Sequence, residues 1–145
     1  MSSVLTQLVV RLLLAPILLV ALAVLVKGYV DAGDGFNAGV IAVLAVLSQY
    51  LTFGTARVER LLPVAHAPVV AVSGLLVALG VAFVPVMLGQ PVLTHSPSAT
   101  SEVVHLGTLE LLTAVVFDIG VFLLVLGAGL GIMQAIAHAS KEEPT

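Results

Sequence analysis

Four long apolar stretches limit this chain to a small set of folds. Each is close to the roughly 20 residues that a helix needs to cross a bilayer core about 30 Å thick. The predicted spans cover residues 4–26, 36–54, 68–89 and 106–136. Because lipid offers no partners to backbone N–H and C=O groups, each span is expected to be a helix. The sequence therefore predicts an all-α membrane protein, a bundle of four transmembrane helices forming a single membrane domain over residues 1–145.

The composition agrees with this fold and excludes several functions. Of the 145 residues, 60% are hydrophobic and 9% are charged, against roughly 25% charged residues in an ordinary soluble domain. Little chain is left for a soluble catalytic domain, and no run of charges favours nucleic acid as a partner. Cysteine is absent, which excludes thiolate metal sites. The four histidines lack the i, i+4 spacing of a helical metal site, so we expect no bound metal.

Lysine and arginine residues are distributed unequally between the two sides of the predicted bundle. With four spans, both termini and the middle loop share one side. That side carries Arg11, Arg57, Arg60 and Lys141, whereas Lys27 alone is on the other. Because cytoplasmic loops carry an excess of Lys and Arg, we expect the N and C termini to face the cytoplasm.

Asp118 lies inside the fourth predicted span, with apolar residues on both sides. An aspartate at the centre of a membrane helix costs about 2.5 to 3.5 kcal/mol on an insertion scale, so some interaction must offset it. A carboxyl group held away from water can take up and release a proton or exchange it for a cation. Asp118 is therefore a candidate for an ion or proton path. The alternative is a hydrogen-bonded aspartate that only locks one helix to another.

Glu110 and Thr113 are further candidates for the same path. Glu110 precedes Asp118 by eight residues, about 12 Å along a helix axis, so the two carboxyl groups cannot share one proton. They could act as successive stations, with the hydroxyl of Thr113 between them. The alternative for Glu110 is a hydrated side chain at the outer membrane interface.

A glycine-rich acidic turn joins the first two spans at residues 31–39. Gly33 and Gly35 permit a positive φ and a sharp reversal, and Gly39 permits close contact with another backbone. Asp34 is placed to cap the second helix. We therefore interpret the turn as the boundary of that helix.

The residues assigned to this turn and to helix packing are Gly33, Asp34, Gly35, Phe36, Asn37 and Gly39. A second interpretation is a mouth that attracts cations through Asp31 and Asp34, although the charge of Lys27 opposes it.

Small residues indicate where the helices pack, because close approach replaces the hydrophobic drive that lipid does not supply. The second span carries one stripe, Ala38, Ala42, Ala45 and Gln49. The fourth span carries two lines, Gly120, Gly127 and Gly131 on one face and Ala114, Asp118, Val125 and Gly129 roughly opposite. Two covered faces on one helix suggest neighbours beyond the other three spans, and therefore partner subunits. Gln49 and Tyr50, near the end of their span, are predicted as interfacial anchors.

Two segments resemble a known family. They are LAPILLVALAVLVKGYVDAGDGFNAGV at residues 14–40 and FDIGV at residues 117–121. Together they resemble the B subunit of the Mrp-type multisubunit sodium/proton antiporters. The family's turn usually reads Pro-Gly-Gly-Gly-Phe-Gln-Gly-Gly. Here Gly33, Gly35, Phe36 and Gly39 agree with it, while Ala32, Asp34, Asn37 and Ala38 depart. The shape of the turn is expected to persist, without any role of the usual proline.

The resemblance implies a small integral-membrane subunit of a complex that exchanges Na+ or another monovalent cation for H+ across the cell membrane. Such a subunit is a transporter component and not an enzyme, and no cofactor is implied. Its partners would be the other membrane subunits of a hetero-oligomeric antiporter, the lipid bilayer and the transported ions. Related subunits occur in membrane-bound hydrogenases. The match of the acid in FDIGV to the family pattern strengthens the assignment of Asp118 to the ion path.

Two other classes of function stay open from the sequence. One is a purely structural membrane subunit of such a complex. The other is a stand-alone four-helix exporter that couples export to protons as a homodimer. Exporters of that kind carry an acid in the first span and line the site with aromatics, whereas here the first span has no acid and aromatic residues make up 5% of the chain.

Overall fold

A computed structural model of the chain describes residues 3–28, 33–61, 64–87, 89 and 107–139, with the backbone alone at 61, 85 and 107–113. It contains five α-helices and a short 3-10 turn at Val64–His66. The helices are α1 (Val4–Lys27), α2 (Asp34–Phe53), α3 (Thr55–Leu61), α4 (Ala67–Met87) and α5 (Gly107–Ala139). No strand occurs in these ranges. Four of the helices are long and apolar enough to span a membrane, which confirms the predicted all-α class.

The ends of α1 and α2 have recognisable sequence causes. Ser3 is the N-cap of α1, and its hydroxyl accepts a hydrogen bond from the backbone N–H of Thr6 at 3.2 Å. Gly28 closes α1. Gly33 precedes α2 with a φ of +116°, a left-handed conformation that favours glycine because any Cβ would be strained there. Glycines therefore frame the reversal between the two helices.

The helices lie in the order α1, α2, α5, α4. Helices α1 and α2 are antiparallel, since Val10 contacts Gln49 near one end and Lys27 contacts Asp34 at the other. Helix α5 runs parallel to α2 and antiparallel to α4. The main contacts in the described part of the chain join α1 to α2, α2 to α5, and α5 to α4. Each inner helix thus has a neighbour on both sides, while α1 and α4 each have one main neighbour.

The small-residue stripe of α2 is buried, as its pattern predicts. Ala38, Ala42 and Ala45 are almost inaccessible. Gln49, the last member of the stripe, is only 6% exposed, and its Nε2 donates a hydrogen bond of 2.9 Å to the backbone carbonyl of Val10 in α1. Its amide therefore links α2 to α1, a contact that the prediction of an interfacial anchor did not include.

Helix α5 has two covered faces, and this chain covers both of them. Gly120 and Gly127 meet the backbone of α4, at Ala78 and Ala71. Gly129, on the other face, meets Val43 of α2. Because α4 and α2 supply both neighbours, the two covered faces of α5 are not by themselves evidence for partner subunits. Gly131 does not share this packing, since a Cβ built on it meets nothing within 4 Å.

A small hydrophobic cluster closes the end of the molecule opposite the α1–α2 turn. Its buried members come from α2, α3, the 3-10 turn and the start of α4, namely Val46, Tyr50, Val58, Val64 and Ala67. Beside it, Nε2 of His138 lies 3.0 Å from Oε1 of Glu59 and joins α5 to α3. Helix α3 is thereby held against the ends of α2 and α5.

We predict that valine at position 127 will weaken the chain far more than valine at position 131. A Cβ on Gly127 overlaps the backbone N of Ala71, whereas position 131 is open. Overpacking of this kind typically costs about 1 to 3 kcal/mol. Gly127→Val should therefore lower the thermal midpoint and yield of the membrane-extracted protein, measured by size-exclusion chromatography after heating. Gly131→Val is the matched control, and equal losses for the two variants would contradict this packing.

Candidate functional site

The structure brings together two features that are far apart in the sequence, the glycine-rich turn and Asp118. The backbone N–H of Gly33 donates to both carboxylate oxygens of Asp118, at 3.1 Å to each. The carboxylate therefore lies beneath the turn, at the start of α2. The Asp118 residue is 2% exposed, so neither solvent nor acyl chains reach it freely in this chain.

Two glycines make room for this carboxylate. A Cβ on Gly28 would lie 2.5 Å from Oδ2 of Asp118, and a Cβ on Gly35 would overlap the backbone carbonyl of Asp118. Larger residues at either position would push α5 away from the turn. The glycines at the end of α1 and in the first turn of α2 thus allow the backbones of the two helices to enclose the acid.

The start of α2 is directed at the Asp118 carboxylate. The N-terminus of an α-helix carries about half a positive charge from its aligned peptide dipoles, and α2 points that end at Asp118. One N–H shared between two oxygens leaves most of a carboxylate's capacity to accept hydrogen bonds unused. The buried Asp118 carboxylate therefore has unused capacity to accept hydrogen bonds. Among the described residues, one N–H donates to it.

Asp34 lies close to this acid but does not cap α2. The N-cap position is Gly33, which has no side chain, and Asp34 is the first residue of the helix, so the predicted capping role of Asp34 is wrong. Instead, Oδ2 of Asp34 pairs with Nζ of Lys27 at 3.4 Å, and Oδ1 accepts from the Asn37 amide at 3.4 Å. Among the described residues, Oδ2 receives no hydrogen bond. Lys27 thus neutralises Asp34 and leaves Asp118 without a cationic partner in this part of the chain.

Along the helix axes, Asp118 lies well short of the end of α4. Gly120, one half-turn from Asp118, packs on Ala78, and α4 continues from there to Met87. With a rise of 1.5 Å per residue, the end of α4 lies roughly 10 Å beyond the level of Asp118. The Asp118 carboxylate is therefore recessed relative to the end of α4.

The other predicted site residues have separate positions. Glu110 and Thr113 precede Asp118 in α5, so they lie beyond the level at which α2 begins. Their side chains lie outside the described residues. Gly39 meets the side chain of Val125, so it belongs to the contact between α2 and α5. Phe36 is 55% exposed, and most of its ring is not covered by this chain.

Gly28 is the member of this site that the sequence did not single out. Its position gives some indication, since it follows the last residue of a predicted span and belongs to the segment that resembles the antiporter family. Only the contact with Oδ2 of Asp118 gives it a role. In the described part of the chain, no three His, Cys, Asp or Glu side chains gather as metal ligands.

Four long apolar helices define the class of this protein, a multi-pass membrane protein, and Asp118 is a buried acid within it. Residues 5–131 match the family described as "Domain related to MnhB subunit of Na+/H+ antiporter". The chain belongs to this family, which confirms the resemblance found in residues 14–40 and 117–121.

Named relatives agree with the family. The chain is 31% identical to the B subunit of an Na(+)/H(+) antiporter from Alkalihalophilus pseudofirmus, over 94% of both chains. It is 33% identical to the protein of the same name from Bacillus subtilis, again over 94% of both. It is also 38% identical to the A/B subunit of a probable K(+)/H(+) antiporter from Rhizobium meliloti, over 81% of this chain, which corresponds to only 12% of that much longer relative.

We predict that Gly28→Ala will destabilise the protein through its contact with Asp118. Gly28 has a φ of −56°, which alanine adopts without strain, so the cost comes from the 2.5 Å approach to Oδ2. A loss of about 1 to 3 kcal/mol is expected. In an Asp118→Ala background the same substitution should cost much less, because the crowding atom is gone.

Thermal unfolding of the four proteins of this double-mutant cycle measures the coupling. Gly80→Ala is the control, since a Cβ there meets nothing within 4 Å. Costs that add to within about 0.5 kcal/mol would show that positions 28 and 118 are independent and would contradict the proposed contact.

Proposed function

We propose that this chain is a small membrane subunit of a multisubunit antiporter that exchanges a monovalent cation, Na+, for H+ across the cell membrane, with Asp118 as its station in the ion path. The names of the relatives support the first part. The observation that carries the second is a buried carboxylate with a single described donor, recessed roughly 10 Å below the end of α4. Such a group can bind a proton or a cation in turn.

The partners proposed for the chain are other membrane subunits of this complex. The Rhizobium meliloti relative is named for both A and B, and the matching segment is a small part of it. A fused chain holds its parts at high effective concentration. This relative therefore supports a position for our chain beside a large subunit of the A type.

The orientation proposed is with both termini in the cytoplasm. Arg11, Arg57 and Arg60 line one cavity at the end of the molecule where α2 stops, whereas Lys27 is at the opposite end. Basic residues gathered at one end are what the positive-inside rule assigns to the cytoplasm. The glycine-rich turn and Asp118 would then lie toward the outer side, with Glu110 and Thr113 as stations nearer to the outer surface.

A purely structural role for Asp118 is the second candidate, and the hydrogen bond from Gly33 favours it. That bond joins α2 to α5 and would hold the turn even if no ion ever reached the carboxylate. Asparagine separates the two roles, because its side-chain carbonyl can still accept from the Gly33 N–H while it cannot exchange a proton.

We predict that Asp118→Asn in the complete complex will keep assembly and lose exchange. The amount of complex purified through a sister subunit should match that of the unmodified protein. Na+-driven proton movement in inside-out vesicles should fall roughly tenfold or more, since a neutral amide cannot take the place of an intramembrane acid in an ion path.

Glu59→Gln is the matched control, because it makes the same carboxylate-to-amide change at the opposite end of the molecule and should leave exchange intact. Normal exchange in an assembled Asp118→Asn complex would overturn the ion-path role. Loss of assembly in Asp118→Asn would show that Asp118 serves to hold α2 and α5 together.

A further inference from the structure

A cavity of about 600 Å³ opens at the end of the molecule opposite the acidic site. It lies where α1, α2 and α3 meet. Apolar side chains form part of its lining, among them Leu14, Phe53 and Val58. Three arginines also line it, Arg11, Arg57 and Arg60, together with Gln49 and Ala56. One arginine from α1 and two from α3 thus line the same cavity, although Arg11 is far from the other two in the sequence.

None of these arginines is neutralised within the described part of the chain. The ion pairs found there are Lys27 with Asp34 and His138 with Glu59, and neither includes an arginine. Glu59 is the acid of α3 itself, yet its carboxylate bonds to α5. Three arginines therefore line one cavity, and none of them forms an ion pair with a described residue.

Arg11 lies deeper along its helix than the end of α2, which increases the need for an anion to balance its charge. The hydrogen bond from Gln49 to the carbonyl of Val10 places Arg11 level with Gln49, about one turn inside the end of α2 at Phe53. An arginine at this depth extends its guanidinium toward the interface along its aliphatic stem. The cavity provides the space for that guanidinium, and an anion there would balance it.

Arg57 has a second contact that shapes the cavity. Its guanidinium carbon lies 5.1 Å from the centre of the Phe53 ring, the geometry of a cation–π contact. This contact holds the planar group at the apolar wall. The guanidinium group of arginine binds two phosphate oxygens through two parallel N–H donors, a geometry that lysine cannot reproduce.

We propose that this cavity binds the phosphodiester head group of an anionic phospholipid, with an acyl chain along α1. The inference goes beyond the antiport function, since it concerns neither Asp118 nor the transported ions. Charge complementarity selects an anion, and basic pockets between membrane helices are suited to lipid phosphates. Leu14, which lines the cavity, lies one helical turn from the exposed Leu18 on α1, so this face of α1 offers apolar surface to an acyl chain.

An acidic protein segment fits these observations less well. Three arginines would attract carboxylates, but a peptide would leave the apolar wall facing polar backbone groups, which are costly to bury unpaired. A phospholipid satisfies both parts of the cavity at once, with its phosphate at the guanidinium groups and its hydrocarbon at Leu14 and Phe53. The site would anchor the α1–α2–α3 end of the protein in one leaflet.

The test uses the complete antiporter complex in vesicles that contain a photoactivatable phosphatidylglycerol or, in parallel, the same reagent with a phosphatidylcholine head group. The measured quantity is the lipid cross-linked to this chain, located by mass spectrometry of its peptides. Labelling near α3 should be several-fold stronger with phosphatidylglycerol, and an excess of unlabelled phosphatidylglycerol should remove it. Equal labelling by both lipids would overturn the proposal without any variant being needed.

Arg57→Gln together with Arg60→Gln should reduce phosphatidylglycerol labelling roughly tenfold, because each basic residue near an anionic head group contributes to its attraction. Lys27→Gln removes a basic residue at the other end and should leave the labelling unchanged. Unchanged labelling in the double arginine variant, or an equal decrease in the control, would contradict the lipid site.

Two protein occupants give different results and would also overturn the proposal. If an acidic segment of a sister subunit fills the cavity, the double arginine variant will lose that partner from the purified complex while lipid labelling stays the same. If Glu142 and Glu143, which follow α5 in the sequence, fill it instead, their replacement by glutamine will increase labelling by phosphatidylglycerol. A lipid site predicts no change from that replacement.

Discussion

The enclosure of one carboxylate by backbone governs the packing of three helices in this protein. Asp118 can lie beneath the first turn of α2 only because Gly28 and Gly35 have no side chains, and Gly33 donates to both of its carboxyl oxygens from the start of α2. In a bilayer, helices gain little from burying apolar side chains against each other, so close backbone approach and a few hydrogen bonds decide the packing. The acid therefore serves as a fixed point for α1, α2 and α5 together.

The order of the helices follows from the same rule. Small residues on both faces of α5 let α2 and α4 approach it closely, and α1 joins through the alanine stripe and Gln49 of α2. The result leaves one long side of α1 exposed, including Leu12 and Leu19. Helices α2 and α5 are covered on two sides by their own chain, but Leu44 and Ile132 on their other sides are exposed, so surface for contacts with lipid or sister subunits remains on all four long helices.

The two ends of the molecule differ in chemistry, and the difference matches the two proposals. At one end an acid is enclosed with a single donor and no cationic partner among the described residues, as an exchangeable ion site requires. At the other, three arginines face a cavity with apolar walls. The acidic end suits a function in transport, whereas the basic end suits attachment to an anionic leaflet. Gln49, between α1 and α2, fixes the level of Arg11 in that arrangement.

The all-α class, the four membrane helices and the family can be predicted from the sequence, because apolar length, sparse charge and the FDIGV and glycine-turn motifs are local properties. Asp118 can be selected in the same way, since a carboxylate inside an apolar run stands out without knowledge of its neighbours. The folded arrangement was needed to show that this acid and the turn form one site, that Asp34 pairs with Lys27 instead of capping α2, and that the second face of α5 meets α2. Those outcomes depend on which helices are adjacent and at what level. Pairing of that kind is set by backbone approach between distant segments, which no periodicity within a single segment encodes.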